Sequence, residues 1–193
     1  ITIGDTMTKS KSKARRQIIK AMIRLLKTEP LESITIKQIC AESDVHRSTF
    51  YAQFEDKYQL FEKLTTYHMT KYERLINYAV EVVENHSLLE VKTTILKIFR
   101  LVFRYLKRHR TFFTAIIVTQ PQPVLIRSYI QYTFGAYDKM LKHLPELQQT
   151  QYFINYTLGG QMAIVYSWLS KGCQESPDTM ADILYSNVIK MNR

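Results

Sequence analysis

The sequence predicts an all-α protein of about nine helices, a compact three-helix head followed by a longer helical region. Three observations lead there. Gly and Pro are scarce, five of each in 193 residues, too few for the many turns of an all-β chain. Apolar residues recur at three- and four-residue spacings, the signature of a helix with one buried face. Helix-start and helix-stop residues punctuate those stretches at the expected places. At 46% hydrophobic residues, the chain can bury a sizeable core.

Residues 13–28 read as the first helix, with Ala14, Ile18, Ala21, Met22, Leu25 and Leu26 on one face and basic residues on the other. Pro30 stops it, since the residue before proline avoids α geometry. Thr35 caps the second helix and Gln38 completes a capping box. Ile36, Ile39 and Cys40 form its inward stripe, and Ser43-Asp44 ends it. Asp tolerates the left-handed backbone of a tight turn, though less well than Gly. Val45 is a buried turn residue by pattern, and 46–53 is a third short helix with Phe50 and Phe54 inward.

Asp56 caps a fourth helix reaching about residue 84. Further helices are expected near 87–109, 111–119, 124–143, 146–171 and 177–191. They are separated by Pro121-Gln122-Pro123, by Pro145, and by Gly172 followed by the Ser176-Pro177 start. The expected organisation is a head at 9–56, a connecting helix at 57–84 and a helical domain at 85–193.

The net charge of +10 suits an anionic partner, nucleic acid or a membrane surface. The charge is uneven. Eight Lys or Arg and no acid lie within 9–27, and a second acid-free run carries Lys97, Arg100, Arg104, Lys107, Arg108 and Arg110. The second run follows helical spacing on one face, either a solvated face or a receiver for an acidic effector or protein. No apolar stretch approaches the ~18 residues that span a bilayer, and no signal-peptide pattern is visible. Cys40 and Cys173 read as reduced thiols of a cytoplasmic protein. Ile1 to Thr6 are left out of the fold reading.

Two short helices, a tight turn and a basic approach helix make a helix-turn-helix, whose second helix enters the major groove. The segment Thr35-Ile-Lys-Gln-Ile-Cys-Ala-Glu-Ser-Asp-Val-His-Arg-Ser-Thr-Phe-Tyr-Ala-Gln-Phe-Glu-Asp-Lys-Tyr-Gln-Leu60 resembles the DNA-binding signature of the TetR family over about residues 13–61. The Phe-Tyr-x-x-Phe-x-x-Lys continuation carries the specificity of the match. Two positions depart from the family pattern. Asp44 replaces the usual turn Gly, and His46 stands where Ser or Thr commonly caps the recognition helix.

The resemblance implies a homodimeric, sequence-specific DNA-binding regulator on a near-palindromic operator, repressing by the family's usual mode and released by a small-molecule effector. Position by position it implies DNA contacts from Thr35, His46, Arg47, Ser48, Thr49, Tyr51, Gln53 and Lys57. Arg47 is the expected base reader, because a guanidinium grips guanine O6 and N7 together. Tyr51 and Lys57 are expected on phosphate. Lys11, Lys13 and Arg15 would add sequence-independent contacts.

The stretch Tyr152 to Gly172, ending Trp-Leu-Ser-Lys-Gly, resembles the penultimate helix of one branch of the family. Its Gly159-Gly160 pair costs about 1 kcal/mol per Gly in a helix interior, which close helix approach at a dimer seam would offset; a local kink is the other reading. The seam reading selects Tyr156, Gly160, Ala163, Ile164 and Ile183. The aromatics Phe99, Phe103, Phe113, Tyr129, Tyr132, Phe134, Tyr137, Tyr166 and Trp168 either fill a core or line an effector cavity. Phe99, Phe103, Phe113, Tyr132, Tyr166 and Trp168 are the candidate pocket set.

No Gly-rich phosphate loop, nucleophile elbow or paired-His zinc motif is present, so neither an enzyme, a metal nor a cofactor is expected. His46, His68, His86, His109 and His143 are scattered and read as surface or packing residues. The rival reading keeps the same fold as a coactivator that works through a partner regulator without specific DNA binding.

Overall fold

The computed structural model describes residues 3–85, 87–141 and 149–190. Side chains before Lys13 lie outside the described residues, and with them the expected contact of Lys11. So do His86, His143 and the stop at Pro145. Among the described residues there are nine α-helices and no strand. They are α1 (Ile3–Leu25), α2 (Ile36–Ser43), α3 (Arg47–Tyr51), α4 (Lys57–Asn85), α5 (Leu88–Arg108), α6 (Arg110–Thr114), α7 (Pro123–Leu141), α8 (Thr150–Ser170) and α9 (Pro177–Lys190). A π turn, Ala115–Thr119, continues α6 without a break.

α1 begins ten residues before the expected start, because the lysine-rich run up to Ser12 contains no breaker after Gly4 and carries the same ladder. It closes by tightening. Lys27 and Thr28 bond three residues back, to Arg24 and Leu25, at 3.2 and 3.0 Å, a 3₁₀-like exit that precedes Pro30.

The local signals at the head have their expected geometry. Thr35 Oγ1 accepts from the Gln38 N–H at 3.2 Å, and Gln38 Oε1 accepts from the Thr35 N–H at 2.8 Å. Asp44 is left-handed, φ 53° and ψ 48°. Farther on, Ser87 and Glu90 form a second capping box, Ser176 Oγ accepts from the Thr179 N–H at 3.0 Å, and Gly172 sits at φ 75°. The Cys173 N–H returns to the Trp168 carbonyl at 2.9 Å, the six-to-one bond that closes a helix on a left-handed residue.

Three clusters build the interior. The head core joins Ile18, Met22 and Leu26 of α1 to Ile39, Phe50, Phe54 and Leu60, each large side chain contributing about 1.5–3 kcal/mol by leaving water. A distal core sets Phe103 against Trp168, Leu169, Ala181 and Leu184. Between them, Leu64, Phe112 and Ile116 pack on Ile19 and Ile23 of α1. α4 therefore starts in the head and ends alongside α5 and α7.

α5 lies along α9, and part of the basic stripe of α5 meets its neighbours there. Arg100 pairs with Asp182 at 3.1 Å, Arg104 with Asp178 at 2.9 Å, and Lys107 donates to the Glu175 carbonyl at 3.4 Å. Three members of the stripe are thus engaged within the chain, on a face that stays open to solvent. The acids that neutralise it are more than 70 residues away in sequence and sit on α9. Exposed pairs of this kind contribute at most about 1 kcal/mol each, so they fix register more than stability. No helix among the described residues is long and apolar enough to cross a membrane.

Candidate nucleic-acid interface and ligand cavity

α3 presents its first turn to solvent. His46, Arg47 and Ser48 are exposed, Thr49 is half-buried, and Tyr51 is 52% exposed with its ring edge-on to Phe50 at 5.6 Å. Phe50 and Phe54 hold the helix from below. His46 occupies the cap position in extended backbone and makes no capping bond, so its imidazole is available on the surface. Gln53 is half-buried. Exposed basic residues of the head include Lys13, Arg15, Arg16 and Lys20 of α1 and Lys37 of α2, with Arg15 over the Phe54 ring at 5.1 Å. The sequence reading overlooked Lys37, although it is the only cation on the outer face of α2.

Two expected phosphate contacts are engaged within the chain. The Thr35 hydroxyl donates to Gln38 Oε1 at 2.7 Å as part of the capping box. The Lys57 ammonium donates to the carbonyls of Glu32 and Ile34 at 2.6 and 2.7 Å. Asp56 caps α4 by accepting from the Gln59 N–H at 2.7 Å. Arg24 of α1 is paired with Glu42 of α2 and also donates to its carbonyl at 2.8 Å. Cys40 lies beneath, its thiol pushed up by burial and partly drawn back by Arg47.

Away from the head, α4, α5, α7, α8 and α9 enclose a cavity of about 760 Å³. Among the described residues its wall is mostly aliphatic and aromatic and contains no carboxylate. Phe99, Phe103 and Phe113 line it, as do Tyr129 and Tyr137. Tyr132, Tyr166 and Trp168 do not. Tyr132 and Tyr166 are 43% and 48% exposed on the outer faces of α7 and α8. Trp168 is locked in the distal core, edge-on to Phe103 at 5.2 Å with its indole N–H on the Glu175 carbonyl at 3.3 Å.

The sequence reading missed Tyr72, His68, Thr133 and Gln161, which complete the wall. The four-residue steps from Tyr129 to Thr133 to Tyr137 could have indicated a polar stripe along α7. The Tyr72 hydroxyl lies 2.6 Å from Thr133 Oγ1, and Thr133 Oγ1 donates its one hydrogen to the Tyr129 carbonyl at 2.7 Å. Tyr72 is therefore the donor of that pair. Gln161 donates through Nε2 to the Tyr137 hydroxyl at 2.5 Å and accepts from Tyr129 at 3.4 Å. Burial pushes the phenols of Tyr72, Tyr129 and Tyr137 up, Tyr137 to about 12.

At the cavity end nearest the head, His68 is 6% exposed, bonds Tyr105 through Nδ1 at 2.7 Å and stacks on Phe112 at 4.3 Å. Burial, then His109 and Lys71, bring its pKa down to about 3. His109, beside it, is lowered by burial and by Arg108. Among the described residues no three His, Cys, Asp or Glu side chains gather as a metal site.

On the outer edge of α8 and α9, Tyr156 (70% exposed), Gly160, Ala163 and Ile183 (42%) form an uncovered face. Ile164 instead packs half-buried against the distal core, one residue round the helix from Ala163. α8 runs as α-helix through Gly159-Gly160, and a Cβ at either would meet nothing within 4 Å in this chain. Nothing inside the single chain requires those glycines.

The fold is that of solved bacterial regulators. Similar structures include the fatty acid degradation regulator FadR of Bacillus halodurans (14% identity over 91% of this chain and 94% of that one, TM-score 0.66). FadR of Bacillus subtilis, solved with stearoyl-CoA, has 13% identity, coverage of 90% and 96%, and TM-score 0.63. NalD, the secondary repressor of the MexAB-OprM efflux pump in Pseudomonas aeruginosa, has 14% identity, coverage of 93% and 96%, and TM-score 0.63. No curated protein matches the sequence. Residues 18–64 match the model for bacterial regulatory proteins of the tetR family, and residues 93–190 match that for a transcriptional regulator C-terminal region. With both parts of the chain matched, the protein belongs to the TetR family of bacterial regulators.

Proposed function

We propose that this protein is a homodimeric, cytoplasmic transcriptional repressor that binds a near-palindromic operator and is released by a small molecule entering the cavity. Residues 9–56 are its DNA-binding unit, 57–84 the connecting helix, and 85–193 the dimerisation and effector part. The observation that carries the reading is the exposed edge of α3. His46, Arg47, Ser48 and Tyr51 stand clear of the core, in a head whose first helix carries exposed cations. Arg47 reads a base; Tyr51, Thr49 and the α1 cations meet phosphate or groove wall. Thr35 and Lys57 approach the backbone chiefly as local scaffolding, because their polar atoms already have partners. Gln53 stays at the margin.

Dimerisation rests on the uncovered face of Tyr156, Gly160, Ala163 and Ile183, which a four-helix seam would cover. Two recognition helices then fall about one helical turn of DNA apart, ~34 Å. The cavity volume of about 760 Å³ is within the ~300–1,000 Å³ of small-molecule sites. The solved relatives whose names carry stearoyl-CoA and efflux repression fit a ligand-released repressor. Coupling runs through α6 and the π turn, where Phe112 and Ile116 touch both His68 or the cavity wall and the α1 residues Ile19 and Ile23.

The test is selection of random duplex DNA by the purified protein at two salt concentrations. A palindromic consensus with steep salt dependence supports the reading. Weak, consensus-free binding at both salts overturns it and favours a coactivator acting through a protein partner.

A further inference from the structure

The deepest stretch of the cavity wall carries hydrogen-bond donors and no charge. Tyr72, Tyr129, Thr133, Tyr137 and Gln161 meet there from α4, α7 and α8. Four of the six hydroxyl and amide hydrogens have acceptors within the network. The hydrogens of Tyr72, Thr133 and Tyr129 are taken by Thr133 Oγ1, the Tyr129 carbonyl and Gln161 Oε1. The Tyr137 hydroxyl accepts from Gln161 Nε2, which leaves the Tyr137 hydrogen and the second Gln161 amide hydrogen without an acceptor among the described residues. Gln161 is only 6% exposed, and an unspent donor at such depth is costly unless something accepts from it.

Charge decides the rest. Among the described residues the wall contains two lysines and no acid. Lys71 and Lys92 are both solvent-exposed, with the Lys71 ammonium turned over the outward-facing Tyr67 ring at 4.9 Å. His68 is neutral. A buried carboxylate would find no cation beside it, and a buried ammonium no anion; either would bear its desolvation uncompensated.

Building on the effector reading above, we infer that the cavity takes a neutral, elongated apolar molecule with one hydrogen-bond acceptor, such as an ester or ketone. Tyr137 and Gln161 hold that acceptor, and the body lies along the aliphatic wall between Leu75, Ile76, Ile95 and Val102.

The experiment uses the full chain and four probes of one chain length at pH 7.5, in calorimetry below their aggregation limits. They are methyl decanoate, decanoate, decyltrimethylammonium and decane. Methyl decanoate binds most tightly, and decane binds about tenfold more weakly for want of an acceptor. Tyr137→Phe lowers ester affinity by about the same factor and leaves decane unchanged; Gln161→Met does likewise should the first variant fold poorly. Equal or tighter binding of decanoate or of the ammonium overturns the inference. Failure of the ester to bind, or equal loss of ester and hydrocarbon in the variants, also overturns it. Operator release is scored separately. An ester that binds without releasing DNA upholds the ligand chemistry and sinks the effector role, whereas release by decanoate alone does the reverse.

Discussion

The Lys57 ammonium donates to the Ile34 carbonyl at 2.7 Å, and so pins the start of α4 to the loop that feeds α2. A second bond to Glu32 reinforces it. Lys57→Met should cost the head about 1–2 kcal/mol in urea denaturation, the value of a charge-assisted bond at a partly exposed site. Unchanged stability with weakened DNA binding would return Lys57 to a purely phosphate role.

Arg47 and Tyr51 share the exposed edge of α3 but answer different questions. Arg47→Ala should lose about 1–3 kcal/mol of operator affinity and relax one base position. Tyr51→Phe keeps the ring edge-on to Phe50 and removes only the hydroxyl, so it should weaken all sequences alike. Titrations against a panel of singly substituted operators separate the two; an unaltered base preference in the arginine variant removes it from the readout.

Ala163 and Ile183 stand on the uncovered face of α8 and α9. Ala163→Glu combined with Ile183→Glu should leave helical content unchanged and shift sedimentation to the monomer, with operator affinity falling as one half-site is lost. A double variant that still sediments as a dimer places the seam elsewhere.

His68 makes the protein acid-sensitive. Its pKa falls from 6.5 to about 3 on folding, so between those values the unfolded chain binds the extra proton. Stability is full above about pH 6.5 and declines as pH drops toward 3, by about 1.4 kcal/mol per pH unit for one proton. The lowered pKa of His109 acts in the same direction. His68→Phe keeps an aromatic ring against Phe112 and should flatten the dependence of the urea midpoint between pH 6.5 and 4.5. An equal slope in both proteins would assign the sensitivity to other groups.

The head was the most legible part of the chain because its signals are local. Thr35 with Gln38, and Asp44 in its left-handed turn, are specified by neighbours within a few residues. The cavity was legible only in composition. Phe99, Phe103 and Phe113 were placed on its wall, but Tyr132, Tyr166 and Trp168 were not separable from them. Which face of a helix is covered depends on partners far away in sequence. The same holds for Arg100 and Arg104, whose acids lie on α9. Tyr72 and Gln161 carry no motif; only the packing of α4, α7 and α8 brings them together.

The π turn after α6 has its own consequence. Its five-residue bond runs from the Gln120 N–H to the Ala115 carbonyl at 2.7 Å, which winds one residue of slack into the helix. Deleting a single residue there would let the turn rewind as ordinary α-helix and turn the segment leading into α7 by about 100° about the axis relative to α6. Tyr129 and Thr133 of α7 would leave Tyr72 of α4. The register between the DNA head and the cavity is in effect counted out by one surplus peptide unit.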